Sequence, residues 1–310
     1  MTDVLATPVN GAEELEWRDS RERVATRLLK ATADKHYDPR VDLDWDEPFL
    51  PDKFFLCEEH VSLYGTPLWD RMSVEQRIEL SKHESASWLS AGIAFEMQLD
   101  AFLLRHAFVR DPTSQHVRYA LTEIEDECRH SLMFSMMLEK MGTPLYSFQP
   151  KLRALIWRSQ FFGSEVMAFI GTLIVEEFLD AAQRQIMRDD NVQPLVREMT
   201  TIHVVEEARH VSYARSELAR QVQSIGPKRL ALIRQLAAFM ASGIYKMLVD
   251  PAVYANVGVD RELALEAVKQ SEHRRQFRRD LTARTFRNFS ELGLVGGRSA
   301  QMWRSWGHDC

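Results

Sequence analysis

The sequence predicts an all-α fold, a four-helix bundle with additional flanking helices. Three observations predict it. Long segments from residue 73 onward carry helical spacing, with cap and stop signals at their ends. No alternating strand pattern with hairpin chemistry occurs anywhere. One pattern occurs twice at a constant offset: Glu96, Asp100, Glu127, Arg129 and His130 recur as Glu176, Asp180, Glu207, Arg209 and His210. In both copies a lone Glu precedes the Glu of a Glu-x-x-His by the same interval, Glu96 before Glu127 and Glu176 before Glu207. Two helix pairs, each giving one Glu and one Glu-x-x-His, supply the ligand set of a carboxylate-bridged two-metal bundle.

The elements follow in order. Residues 1–11 read as a loose, disordered tail and 12–35 as a helix. The Pro- and Asp-rich stretch from Tyr37 to Pro51 reads as extended chain across the surface, and Tyr64-Gly65-Thr66-Pro67 as a turn. The first long helix spans 73–109, opened by a Ser73/Gln76 capping box and stopped at Asp111-Pro112. The second, 114–140, ends at Gly142-Thr143-Pro144. The third covers 151–189, with a bend at Gly163 or Gly171; the fourth covers 192–224, with Pro194 in its first turn. A fifth spans 228–248 up to Asp250-Pro251, and one or two more fill 260–292. This reads as one domain over 1–310, with a metal-binding core at 73–224 and flanking helices at 225–292.

Composition narrows the function classes. The 310 residues are 45% hydrophobic and 27% charged, which suits a packed globule. A net charge of −6 argues against nucleic acid or anionic lipid as the main partner. Cys57, Cys128 and Cys310 are far apart with no C-x-x-C, so a disulfide framework and an evident zinc site are excluded. A reducing cytoplasm is the expected compartment. The N-terminus shows no secretory pattern. The apolar stretches 166–175 and 235–245 are bounded by Glu165, Arg234 and Lys246, so no transmembrane span is expected.

The repeated motif carries chemistry. At roughly 100° per residue, Glu207 and His210 project about 60° apart and His203 about 40° from Glu207, on one narrow stripe. Charged and imidazole groups on a stripe facing a bundle core are costly unless compensated, and bound metal compensates them. Glu127 and His130 share this geometry. Glu96 and Glu176 stand among apolar neighbours (Ile93, Ala94, Phe95; Leu173, Ile174, Val175), where a carboxyl is either protonated or coordinated. Four carboxylates balance two divalent ions. Mixed carboxylate and imidazole donors favour iron or manganese over magnesium or calcium. We therefore expect Glu127 and Glu207 to bridge two ions, Glu96 and His130 to complete one, and Glu176 and His210 to complete the other. His203 is an additional ligand on the second ion. Its counterpart in the first copy is Glu123, read as an outer or solvated group. Asp100, Asp180, Asp126 and Glu206 are candidates to accept the outer N–H groups of the histidines, with Arg129 and Arg209 compensating them.

On these residues the chain resembles the p-aminobenzoate N-oxygenase (AurF-like) family of di-iron proteins over roughly residues 60–225, with a fainter continuation to about 294 and a poor match before residue 60. The most specific segment is Gln193-Pro194 followed by Thr200-Thr201-Ile202-His203-Val204-Val205-Glu206-Glu207-Ala208-Arg209-His210. The resemblance implies a ferritin-like bundle with four Glu and three His ligands: Glu96, Glu127, His130, Glu176, His203, Glu207 and His210. It implies two iron ions, with manganese-containing variants open, and O2 as co-substrate. It further implies oxidation of an aromatic amine through hydroxylamine toward nitroso or nitro products, with an external electron donor. Arg279 is similar to a family arginine that could anchor a substrate carboxylate. Trp88, Phe95 and Phe178 are the further expected substrate contacts. A homodimer is the expected assembly, without nucleic acid or membrane. The competing readings are a di-iron C-hydroxylase, a ferroxidase without organic substrate, and a radical-generating subunit with Tyr213 just past His210 on the same helix.

Overall fold

The computed structural model describes residues 11–162 and 164–310. Among these the chain is all helix and loop, with one isolated bridge between Phe54 and Val192. The predicted tail lies outside the described residues, except Gly11. The helices are α1 (Gly11–Asp34), α2 (Pro39–Asp42), α3 (Pro67–Arg71), α4 (Val74–Phe108), α5 (Gln115–Met141), α6 (Pro150–Phe162) and α7 (Glu165–Ile186). There follow α8 (Pro194–Val222), α9 (Pro227–Met247), α10 (Ala252–Asn256), α11 (Arg261–Gln270), α12 (Glu272–Glu291) and α13 (Ser299–Ser305).

Local chemistry explains most boundaries. The Ser73 side chain accepts from Gln76 N while Gln76 Oε1 accepts from Ser73 N, so α4 opens on the predicted capping box. Gly142 ends α5 in the left-handed region (φ 63°), closed by bonds to the Leu138 and Glu139 carbonyls. Three features depart from the sequence reading. The third helix divides into α6 and α7 instead of running unbroken over 151–189; Ser164 caps α7 by accepting from Met167 N. Of the two proposed bend sites, Gly163 lies outside the described residues and Gly171 sits inside unbroken α7. Short helices begin at Pro39 and Pro67, where proline supplies a ready first-turn φ, in stretches read as extended chain or turn. The short α10 and the terminal α13 were not anticipated.

Packing sets α4 along α5 and α7 along α8, with α1 over α5 and α8, and α9 and α12 over α7. Helix α7 is apolar nearly all round, so it lies inside: Ile170, Leu173, Ile174 and Phe178 are fully buried. Each such side chain contributes about 1.5–3 kcal/mol of burial. The stretch Pro227–Asn256 is long and apolar enough to cross a membrane by length and composition, its 18-residue apolar window having mean hydropathy 1.3, contrary to the expectation that none is. Arg234 and Lys246 do not interrupt its apolar window. In the fold α9 packs Ile233, Ala237, Ala241 and Ile244 onto the body, and 33% of the window is buried.

The start of α7 is tied to the end of α4. Arg110 Nη2 donates to both Glu165 oxygens at 2.8 Å, and His106 Nδ1 lies 3.3 Å from Oε1. Burial pushes the Glu165 carboxyl up, but His106 and the Arg110 guanidinium outweigh it and hold it down to about 2. Its folded value lies below its unfolded value. The stabilisation is therefore present above about pH 4.5 and is lost as pH falls toward 2. Glu165 is 34% exposed, so screening limits the contribution to about 1 kcal/mol. Glu165→Gln is expected to lower the melting temperature by about 2 °C at pH 7. The deficit should vanish near pH 2 in thermal melts, and a deficit independent of pH would contradict this account.

Candidate metal centre

Helices α4, α5 and α8 bring six of the seven predicted ligands into two overlapping groups. Glu96, His130, His203 and Glu207 form one; Glu127, His130, Glu207 and His210 form the other. Within each group the donor atoms lie within 4.8 Å of one another, and every member is buried. His210 Nδ1 is 2.9 Å from Glu127 Oε1 and 3.1 Å from Glu207 Oε1. His130 Nδ1 is 3.0 Å from Glu127 Oε2 and 3.1 Å from Glu207 Oε1. Glu176 belongs to neither group, but it is buried beside them, and Glu207 and Glu96 are among the charges that act on it.

His203 falls on a different side from the one expected. The sequence reading placed it with Glu176 and His210. The geometry puts its Nε2 3.5 Å from Glu96 Oε1, and its ring 4.6 Å from that of His130. A residue one helical turn before Glu207 points toward the facing α4/α5 pair, which is a matter of helix rotation that spacing alone does not specify.

The electrostatics are those of a site built for cations. Burial and then the Glu127 charge push the Glu96 carboxyl well up; burial and then Glu207 do the same to Glu176. Burial works against ionisation of Glu207 as well, yet the His210 charge and the His130 contact hold it well below the usual range. His130 and His210 are raised well above an ordinary histidine by these carboxylates, against the pull of burial. Their protons stand in for positive charge that the carboxylates demand. His203, by contrast, is pushed down to about 4 by burial and the His130 charge, which leaves a neutral imidazole. Glu96 Oε2, Glu176 Oε2 and Glu207 Oε2 are all buried without a hydrogen-bond partner. Such oxygens are costly in a dry interior unless a cation takes them, so the donor set fits a metal pair.

The outer contacts cross between helix pairs. His130 Nε2 meets Glu206 Oε2 at 2.9 Å, and His210 Nε2 meets Asp126 Oδ2 at 3.2 Å. Arg209 contacts both carboxylates, Arg129 adds to Asp126, and the Tyr37 N–H donates to Glu206. Asp100 and Asp180 do not take histidine N–H groups. Asp180 accepts from Arg184 at 2.8 Å and Arg284 at 2.6 Å. Asp100 accepts from Cys128, and burial and the Glu127 charge push it up to about 7. Both lie one turn past the Glu of their helix and point away from the imidazoles. The partner of His203 was missed: Gln183 Oε1 lies 2.9 Å from Nδ1. Its signal was available, because Gln183 is two turns past Glu176 on the same face of α7.

A cavity of about 240 Å³ adjoins the cluster, with Glu176 in its wall. Phe95, Phe102, Ile156, Val175, Met240 and Ile244 line it, with Gln98 and Arg105 as polar groups. Of the expected substrate contacts, Phe95 lines this cavity. Trp88 lines a separate hollow of about 30 Å³, next to Gln183. Phe178 is fully buried and lines neither. Arg279 is exposed on α12, its chain against Gly307. Phe277 and Leu281 turn inward, and position 279, about 200° from each, faces out.

The model of the p-aminobenzoate N-oxygenase AurF family matches residues 18–293. The chain belongs to that family. The match reaches well before residue 60, where the sequence resemblance faded. Membership makes the chain an oxidoreductase of the di-iron oxygenase class. Two curated relatives, uncharacterized proteins of Mycobacterium tuberculosis and Mycobacterium bovis, are each 26% identical over 295 residues, covering 91% of this chain and 86% of the relative. A solved structure of a mutant R2-like ligand-binding oxidase with an aerobically reconstituted Mn/Fe cofactor shares the fold. It superposes with a TM-score of 0.51 at 14% identity, over 89% of this chain and 94% of the other. This N-oxygenase family member is thus all-α, with the ferritin-like bundle the sequence predicts.

Proposed function

We propose that this protein is an O2-dependent oxygenase that holds two iron ions and N-oxygenates a small aromatic amine. The observation that carries the reading is the apolar, partly aromatic cavity whose wall includes Glu176, since a protein that only oxidised iron needs no organic-sized hollow beside its cluster. At about 240 Å³ it falls just below the range of ~300–1,000 Å³ typical of drug-sized ligands, and so suits a single substituted ring.

Glu96, Glu127, His130, Glu176, His203, Glu207 and His210 would hold the metal pair. Two bound irons supply the redox capacity to split O2 and deliver one oxygen atom. The chain's own residues do the rest. Asp126, Glu206 and Gln183 fix the orientation of the three imidazoles. Phe95, Phe102 and the α9 side chains Met240 and Ile244 enclose the ring and exclude water, while Gln98 and Arg105 orient a polar substituent. In the net reaction one oxygen atom enters the amine N–H to give a hydroxylamine. The other leaves as water, with two electrons and two protons from an external reductant.

The test is aerobic incubation of the reduced, iron-loaded protein with p-aminobenzoate and related arylamines, with products read by mass spectrometry. Hydroxylamine, nitroso or nitro products support the reading. Ring- or side-chain-hydroxylated products would turn it to a C-hydroxylase, and iron oxidation without any organic product would turn it to a ferroxidase. Asp126→Asn tests the supporting shell: it is expected to weaken iron binding about 10–100-fold in calorimetric titration. Unchanged affinity would remove Asp126 from that role.

A further inference from the structure

Glu123 is a buried carboxylate that neither the motif nor the family ligand set uses. It is 1% exposed in the middle of α5, and its Oε2 has no hydrogen-bond partner. Glu96, Glu176 and Glu207 share both properties. Glu177, also buried with an unpartnered oxygen, differs because its contacts are Asn288 and Arg284 on α12, outside the cluster. No arginine or lysine stands among the leading charges that act on Glu123; His210 heads them, followed by Glu127 and Glu207.

The internal repeat says what this position is for. His203 lies four residues before Glu207 on α8 and reaches across to Glu96 and His130 on the other helix pair. Glu123 lies four residues before Glu127 on α5, the equivalent place in the other half. The outer contacts obey the same crossing rule, with His130 meeting Glu206 and His210 meeting Asp126. Applied to Glu123, the rule sends its carboxylate toward the other helix pair, α7 and α8, and His210 on α8 is the first charge that acts on it. We propose that Glu123 is an additional metal ligand that completes the Glu176–His210 position, as His203 completes the Glu96–His130 position. The two positions then differ in kind. One has two imidazoles and one terminal carboxylate; the other has one imidazole and two terminal carboxylates. Carboxylate and imidazole donors favour different metals and oxidation states, so the pair is electronically unequal. Five carboxylates also exceed the charge of two divalent ions, which favours the oxidised pair.

This inference rests on the two-metal reading above. The competing role is a hydrogen bond from Tyr119, one turn earlier on α5, whose buried hydroxyl also lacks a partner. The test uses the full chain, freed of metal and reloaded anaerobically with iron-57(II), as wild type, Glu123→Gln and Tyr119→Phe. Mössbauer spectra and calorimetric titration are recorded for each. The wild type should show two quadrupole doublets of equal area. Glu123→Gln should move one doublet, leave the other in place, and weaken one of two binding events about tenfold or more. Tyr119→Phe should change neither. Identical spectra and affinities for Glu123→Gln and wild type would overturn the proposal, as would an equal shift in Tyr119→Phe. Should Glu123→Gln fail to fold, a crystal structure of the iron-loaded wild type decides the matter. A Glu123 oxygen bonded to iron supports the proposal; one bonded only to Tyr119 overturns it. Fewer than two irons in the wild type would defeat the two-metal reading itself, a result distinct from two irons with Glu123 uninvolved.

Discussion

Glu207→Ala is expected to abolish tight metal binding at both positions and, with it, all O2-dependent turnover. The reason is placement. Glu207 belongs to both groups of converging donors, whereas Glu96 belongs to only one. Its Oε1 is 3.1 Å from the inner nitrogens of both His130 and His210, and 3.7 Å from His203 Nε2. Losing a hydrogen-bond partner behind a ligand already weakens metal sites about 10–100-fold, so losing a shared ligand should exceed that at each position. The loss also leaves two imidazoles whose raised proton affinity depended on this carboxylate, so the metal-free site becomes less charged as well as incomplete. Glu96→Ala should instead impair one binding event and spare the other. Metal analysis and calorimetry of both variants check this. Two irons of native affinity in Glu207→Ala would end the case for a bridging role.

Filling the cavity should separate iron chemistry from organic turnover. Gly171 lies within α7, and an added Cβ there would meet Met240 Sδ at 3.2 Å, the movable end of a flexible side chain. Gly171→Ala therefore needs only a small adjustment by Met240 and should leave turnover within a few-fold of wild type. Gly171→Phe places a ring in the space assigned to substrate. Replacing a helical glycine gains a few tenths of a kcal/mol in helix propensity, against about 1–3 kcal/mol of overpacking, so the fold should survive. Iron content should stay near the wild-type level, because Gly171 lines the same cavity as Glu176 but the atom an added Cβ meets is Met240 Sδ and not a proposed ligand. Displacing substrate by even an ångström can cost about 100-fold. A fall of that size or more in kcat/KM for the arylamine is expected, with O2 consumed but little product formed. Wild-type product yield from Gly171→Phe would show that the substrate binds elsewhere.

The internal repeat and the cap signals determined the four ligand-bearing helices, the ends of all but the third, and the identity of the acidic and imidazole groups at the centre. These are properties of one helix at a time. Periodicity and cap chemistry act over three or four residues, and that is the range a single sequence displays. Asp126 and Glu206 were legible for the same reason, as neighbours of Glu127 and Glu207 in the motif. Only the tertiary structure decided what depends on how one helix is turned toward another. It moved His203 to the Glu96 side, gave Asp180 to Arg184 and Arg284, and turned Arg279 outward. It built the cavity from α4, α6, α7 and α9, including Met240, Ile244 and Met247, which lie far along the chain from Glu176. A helix's chemistry is written along its own residues, but its rotation and its neighbours are set by the combined packing of every apolar face in the core, and no local spacing encodes that sum.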